Sequence, residues 1–199
     1  MLKINEIFYS LQCEGPFAGH PAVFVRLAGC NLKCSFCDTE HEDGMIMEEE
    51  EIVHLVKEKS TCNLVVLTGG EPFLQNIEPL CELLILFGYR VQVETNGTVA
   101  PKVSERIASL LHIVCSPKGV TDEVFYNIAN AWKILVDVNT APNDLPAISH
   151  YHKEVYLQPI TVGKWDSIES KNNRDHAIKL CLSTGNKLSL QLQKALEII

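Results

Sequence analysis

The chain has 199 residues, 46% of them hydrophobic and 21% charged, which allows one domain with a substantial core and excludes a disordered or membrane-spanning chain. A formal net charge of −8 and a pI near 5.4, without any long Lys/Arg cluster, argue against a nucleic-acid or anionic-membrane binder. The first ten residues, MLKINEIFYS, interrupt any signal-peptide core with Lys3, Asn5 and Glu6, so a cytoplasmic protein is expected, in which the eight cysteines do not form a disulfide framework.

In chain order, the first predicted strand covers residues 22–27 (AVFVRL), and the loop after it, GCNLKCSFCDT, carries Cys30, Cys34 and Cys37. Residues 48–59 predict a helix, because acids crowd its start and lysines its end, as the helix dipole favours. A strand over 64–68 runs into TGGEP (68–72), and a helix over 77–87 is expected to stop at Gly88. A strand over 91–94 leads to ETNG (94–97), a helix over 103–111 follows Pro101, and His112–Cys115 reads as a strand leading into Ser116, Pro117 and Lys118. Strands over 133–138 and 155–158 follow, the second ending in Gln158 and Pro159. A helix over 173–182 precedes Gly185, and the alternating run 187–191 reads as a terminal or edge strand.

Mostly continuous apolar strands alternating with helices predict a parallel α/β architecture with right-handed crossovers in a single domain. The polar clusters fall at strand carboxyl ends, where such folds bind ligands, and together they are expected to face one shared site; each taken singly could be an ordinary turn. Cys81, in an apolar helical pattern, and Cys115, in an apolar strand, are expected to be core residues.

The cysteine loop has the spacing C-x3-C-x2-C. Three thiolates on one short loop can hold three corners of a 4Fe–4S cube and leave the fourth iron open to a reactant. Two other readings stand beside this one. His41, four residues past Cys37, would complete a zinc knuckle of three Cys and one His, and a ferredoxin-type cluster would need a fourth cysteine, of which the next downstream is Cys62. A structural zinc mainly rescues chains that cannot build a core, and this chain can build one, which favours the open cluster.

With Phe36 before its last cysteine, the loop resembles the signature of the radical S-adenosylmethionine (SAM) superfamily, and the Gly-Gly-Glu-Pro run resembles that superfamily's SAM-binding motif. The resemblance implies a partial (β/α)6-type barrel with a mostly parallel sheet, and a 4Fe–4S cluster on Cys30, Cys34 and Cys37. It also implies SAM held by Gly70 and Glu71 at its methionine end, by Ser116, Pro117 and Lys118 at its nucleoside end, and by Gln158 and Pro159. Reduction of such a cluster cleaves SAM to a 5′-deoxyadenosyl radical.

The stretch IFYSLQCEGPFAGHPAVFVRLAGCNLKCSFCDT, continued by TGGEP, ETNGT, CSPK, YLQP and KLSLQ, is similar to the 7-carboxy-7-deazaguanine synthase family over nearly the whole chain. That similarity implies a lyase that contracts the ring of 6-carboxy-5,6,7,8-tetrahydropterin with loss of ammonia, on the route to queuosine-type deazapurines. It implies Mg2+ at Thr39 and substrate contacts at Leu11, Gln12, Cys13, Glu14, Arg26, Thr68, Gln193 and Ile199. It further implies an electron donor such as flavodoxin or ferredoxin, a homodimer, a substrate-binding segment over 1–21 and a closing segment over 186–199.

The residues have their own chemistry beside that resemblance. A carboxylate such as Glu14 can accept from the amidine-like edge of a pterin, and Arg26, alone inside an apolar strand, needs an anion. The chain departs from the family at Cys13, where the family's Gly permits positive φ or close backbone approach, at Gln193, where the family has His, and in its Ile198–Ile199 tail. Two alternative classes are a radical-activating enzyme acting on a partner protein and a non-catalytic Fe–S or zinc module. The first requires SAM cleavage to depend on that partner; the second predicts no SAM cleavage.

Overall fold

In a computed structural model that describes residues 1–145 and 153–198, one nine-stranded sheet runs in the order β3-β1-β2-β4-β5-β6-β7-β8-β9. Parallel pairing joins β2 (Pro21–Leu27), β4 (Leu64–Gly69), β5 (Arg90–Thr95), β6 (His112–Cys115), β7 (Ala131–Val136), β8 (Glu154–Pro159) and the short edge strand β9 (Lys187–Leu188). Helices α1 (Glu49–Lys59), α2 (Glu78–Leu86), α3 (Glu105–Ala108), α4 (Val124–Ile128) and α5 (Ile168–Thr184) fall between successive parallel strands. This is the mostly parallel partial barrel expected from the sequence.

At the opposite edge, β1 (Leu2–Leu11) pairs antiparallel with β2 and with β3 (Met45–Met47). Apolar content does not predict β1, because only alternate residues of its first half, Leu2 and Ile4, are buried, with Lys3 between them and Asn5 and Glu6 after. β7 lies two residues earlier than the predicted 133–138. It stops where the Asp137 side chain accepts from Asn139 N at 2.9 Å and its backbone N–H donates to Thr140, an Asx turn that competes with the ladder. The helix predicted over 103–111 shrinks to α3, with Ser104 as its cap. α5 extends beyond 173–182, starting at the cap Ser167 and ending on Gly185 in the left-handed region (φ 76°). The edge strand predicted over 187–191 is only β9, and the chain then turns into α6 (Leu192–Leu196).

The period of two along each strand sorts the two faces of the sheet. Val23, Val25, Val65, Leu67, Val91, Val93, Ile113 and Trp132 join α1, α2, Phe73 and Phe125 in the principal core, which also takes in Cys81 and Cys115 as expected. The alternate positions look inward. Ala22, Leu64 and Val66 fill the narrow end with Phe17 and Phe24, and nearer the carboxyl ends the inward residues turn polar: Arg26, Thr68, Glu94, Lys133 and Gln158.

Candidate active site

At the carboxyl ends of the parallel strands lies a cavity of about 500 Å³, within the range of small-molecule sites. Its rim is the cysteine loop. Gly29, with φ 90°, turns the chain out of β2; its N–H donates to His41 O at 2.6 Å and closes the neck, while Cys37 N donates to Cys34 O inside the loop. Cys30, Cys34, Cys37 and Thr39 all line the cavity.

The Gly-Gly-Glu-Pro and Glu-Thr-Asn-Gly segments brace this rim. Gly70 N donates to Leu27 O, and a Cβ on Gly70 would stand 1.8 Å from the carbonyl oxygen of Gly29, so no other residue permits this approach. The Glu71 side chain does not line the cavity. It is wholly buried and accepts from Phe73 N (3.1 Å), Thr95 Oγ1 (2.8 Å) and Asn96 N (2.7 Å), tying the end of β4 to the end of β5. Burial raises its pKa against the pull of these three donors. Asn96 then reaches the cysteine loop, donating to Asn31 Oδ1 at 3.1 Å and to Cys30 Sγ at 3.9 Å.

Gly70, Ser116, Lys118, Gln158 and Pro159 line the cavity; Pro117 does not, and shapes the turn between its neighbours. Lys118 donates to Ser116 Oγ and lies over the Phe36 ring. Burial, followed by repulsion from Lys133, lowers its pKa to about 8, with Glu14, Cys34 and Glu94 opposing the shift.

The floor is a charged network. Lys133 Nζ binds Glu14 Oε2 and lies 3.6 Å from Glu94 Oε2. Gln158 also donates to Glu14 Oε2, while Gln191 and Gln193 donate to Oε1 at 3.1 and 2.9 Å. Gln12 and Gln92 both donate to Glu94 Oε1. Burial works against the charge on both members of the central pair. Lys133 nevertheless holds the Glu14 carboxyl below the usual carboxylate range, and Glu14 with Glu94 raises Lys133.

Leu11, Gln12, Glu14, Arg26, Thr68 and Gln193 line this chamber, so the structure brings them together; Ile199 lies outside the described residues. Cys13, beside Glu14, is buried, and its backbone does not adopt positive φ. Arg26 already meets one anion, since its Nε donates to Glu6 Oε1 at 2.7 Å, and it lies over Phe8. Sequence reasoning placed Glu94 only within a strand-end cluster and missed Lys133, Gln191 and Lys194, the last of which pairs with Asp38 beside the cysteine loop at 2.6 Å.

The donor set can be tested against the metals considered. Among the described residues, the only three metal-type donors mutually within 4.8 Å are Glu48, Glu49 and Glu50. At least one pair of the three thiol sulfurs is therefore more than 4.8 Å apart, wider than the roughly 3.8 Å between sulfur ligands on tetrahedral zinc. A cube with thiolates on separate irons takes a wider spread, so the loop fits a 4Fe–4S cluster better than a zinc ion.

Comparison with known proteins agrees with this geometry. Residues 25–141 match the radical SAM superfamily. A 7-carboxy-7-deazaguanine synthase of Rickettsia prowazekii is 36% identical over 99% of this chain and 88% of its own length. Another of the same name, from Rhodospirillum rubrum, is 45% identical over 76% of this chain and 66% of its own. The crystal structure of QueE from Escherichia coli superposes with a TM-score of 0.77 at 26% identity, covering 96% of this chain and 93% of that one. A TYW1 structure with a lysine-pyruvate adduct bound, 10% identical with a TM-score of 0.53, shares the fold.

Proposed function

This chain belongs to the 7-carboxy-7-deazaguanine synthase family of the radical SAM superfamily, and from that membership we propose that it converts 6-carboxy-5,6,7,8-tetrahydropterin into 7-carboxy-7-deazaguanine with loss of ammonia. The observation that carries this reading is the union of two chemistries in one cavity: three thiols at the rim and a polar, charged floor facing them.

Cys30, Cys34 and Cys37 would hold the 4Fe–4S cluster, and Gly70, Ser116, Lys118, Gln158 and Pro159 would surround SAM. Bound together and reduced, these groups supply a carbon radical able to take a hydrogen atom from an unactivated position. The remaining work belongs to the chain. Glu71, buried away from the ligand, keeps the two bracing loops in register. Glu14 presents an ionised carboxylate to the N–H edge of the pterin ring, with Gln12, Gln193 and the backbone at Leu11 beside it. Arg26, shared with Glu6, offers its remaining N–H groups to the substrate carboxylate, and Thr68 sits next to it in register. Leu135, Ile160 and Ile198 add apolar lining to the cavity.

The finer assignments follow the same reading. Thr39, on the rim beside Cys37, would give its hydroxyl to a Mg2+ that also takes substrate oxygens and water. A small electron-transfer protein such as flavodoxin or ferredoxin would approach Cys37, the exposed member of the three. Residues 1–21 would form the substrate-binding segment and 186–199 the closing one, within one domain. A cytoplasmic homodimer is the expected form; among the described residues no helix is long and apolar enough to cross a membrane.

The test is anaerobic. The reconstituted protein is given SAM, dithionite, Mg2+ and 6-carboxy-tetrahydropterin, and products are read by mass spectrometry. Formation of 7-carboxy-7-deazaguanine in excess of the SAM consumed is expected. Deoxyadenosine without that product would send the search to another substrate, and neither compound from protein with a verified cluster would overturn the enzyme reading. Omitting Mg2+ should slow turnover, and light scattering after gel filtration should give twice the chain mass.

A further inference from the structure

Lys133 is, among the described residues, the one cation held in the cavity floor between two carboxylates; its side chain is 7% exposed, and that of Glu14 is 13% exposed. Four donors surround Glu14, and they divide by oxygen. Lys133 and Gln158, both on strands of the sheet, take Oε2; Gln191 and Gln193, both on the carboxyl-terminal segment, take Oε1. Because a carboxylate oxygen only accepts, the amide orientation of Gln193 is fixed: Nε2 faces Glu14, and Oε1 is left buried without a partner.

We propose that Lys133 is a positioning residue that commits one oxygen of Glu14 to the sheet and leaves the other, with the Gln193 carbonyl beside it, as an acceptor pair for a ligand edge carrying adjacent N–H donors. The amides of Gln191 and Gln193 satisfy Oε1 until such an edge arrives. This selects amidine-like or 2-aminopyrimidinone edges and disfavours ligands that present acceptors or negative charge there. The inference deepens the pterin reading and rests on it for the ligand, but not for the charge arrangement. The groups facing Glu14 are Lys133 from β7, Glu94 from β5, Lys118 after β6, Gln158 from β8, the two carboxyl-terminal glutamines and the neighbouring Cys13.

The experiment has two arms. In the first, the Glu14 side-chain carboxyl is followed by carbon NMR in ligand-free protein. The wild type should stay ionised below pH 4, and Lys133→Met should raise the Glu14 midpoint into the range of the kinetic assay, about pH 7. A wild-type midpoint at or above 4.5 would overturn the proposal without any variant having to fold. In the second, steady-state kinetics with 6-carboxy-tetrahydropterin compare the wild type, Lys133→Met and Lys133→Arg. The Met variant should raise KM about tenfold or more at pH 7 while kcat changes less, with kcat/KM recovering as pH rises. The Arg variant should keep the flat wild-type profile. A Met variant with KM within twofold of wild type, or an Arg variant with the Met profile, would also overturn it. Should the wild type turn over no pterin while its Glu14 titrates as expected, the substrate reading falls and the charge-holding role stands.

Discussion

At the scale of single residues, the site separates groups that hold the cofactors from groups that hold the substrate, and the two should fail differently. Cys34 sits mid-loop, and burial raises its thiol pKa against the opposing pull of Lys118, so a metal must displace its proton to take the thiolate. Cys34→Ala should leave secondary structure intact by circular dichroism, but reconstitution should yield no stable four-iron cluster and no deoxyadenosine. Arg26 is different, because its partner Glu6 remains when a ligand leaves. Arg26→Ala should weaken substrate binding by about 2–5 kcal/mol, the range for stripping one partner from a desolvated charge pair. A substrate KM unchanged in that variant would remove Arg26 from the site.

At the scale of elements, the braces between strand ends matter more than any one contact. Glu71 satisfies two backbone N–H groups and a hydroxyl in a region without solvent. Glu71→Ala would strand all three, at about 1 kcal/mol or more each. For a chain of this size a total near 3 kcal/mol lowers the melting temperature by about 6–12 °C, which thermal unfolding can read directly. The same element explains what the sequence could convey. The cysteine loop was legible because its ligands are neighbours in sequence and their chemistry is specific to metals. The Gly-Gly-Glu-Pro run was legible as a motif but not in its roles: nothing in the sequence shows that Glu71 turns inward to β5 while Gly70 faces the cavity. Lys133 stayed hidden inside a strand read as a continuous apolar run, and Glu94 was read only as part of a strand-end cluster, without its partners. Their signal was present as alternation, since Gln92 and Glu94 occupy one face of β5 with Val91 and Val93 on the other. The anion for Arg26 could not be read, because it depends on the pairing of Glu6 with Arg26 across an antiparallel β1 that its polar positions obscure.

At the scale of the whole molecule, the two chain ends meet over one carboxylate. Glu14 follows β1, Lys133 lies on β7, and Gln191 and Gln193 come from the last segment, so an amino-terminal side chain joins the sheet and the tail. The pKa of Glu14 is depressed in the folded state, so its contribution to stability is fully present above the ordinary glutamate value of 4.5 and is lost as pH falls below it. Denaturant midpoints should therefore fall steeply below pH 4.5, and Glu14→Gln should flatten that dependence. The tail adds a separable layer. Ser189 still bonds Gly15 N and Gln158 Oε1, so a chain ending after Leu190 keeps the tie between barrel and amino-terminal segment. What it loses is Gln191 and Gln193 over Glu14, the Lys194 pair to Asp38 and the Ile198 cover. None of these touches the braces behind the cysteine loop. The truncated chain should thus bind iron as the full chain does, while its KM for 6-carboxy-tetrahydropterin rises about tenfold or more. Equal loss of iron and of substrate affinity would show that α6 supports the whole cavity and does not merely close it.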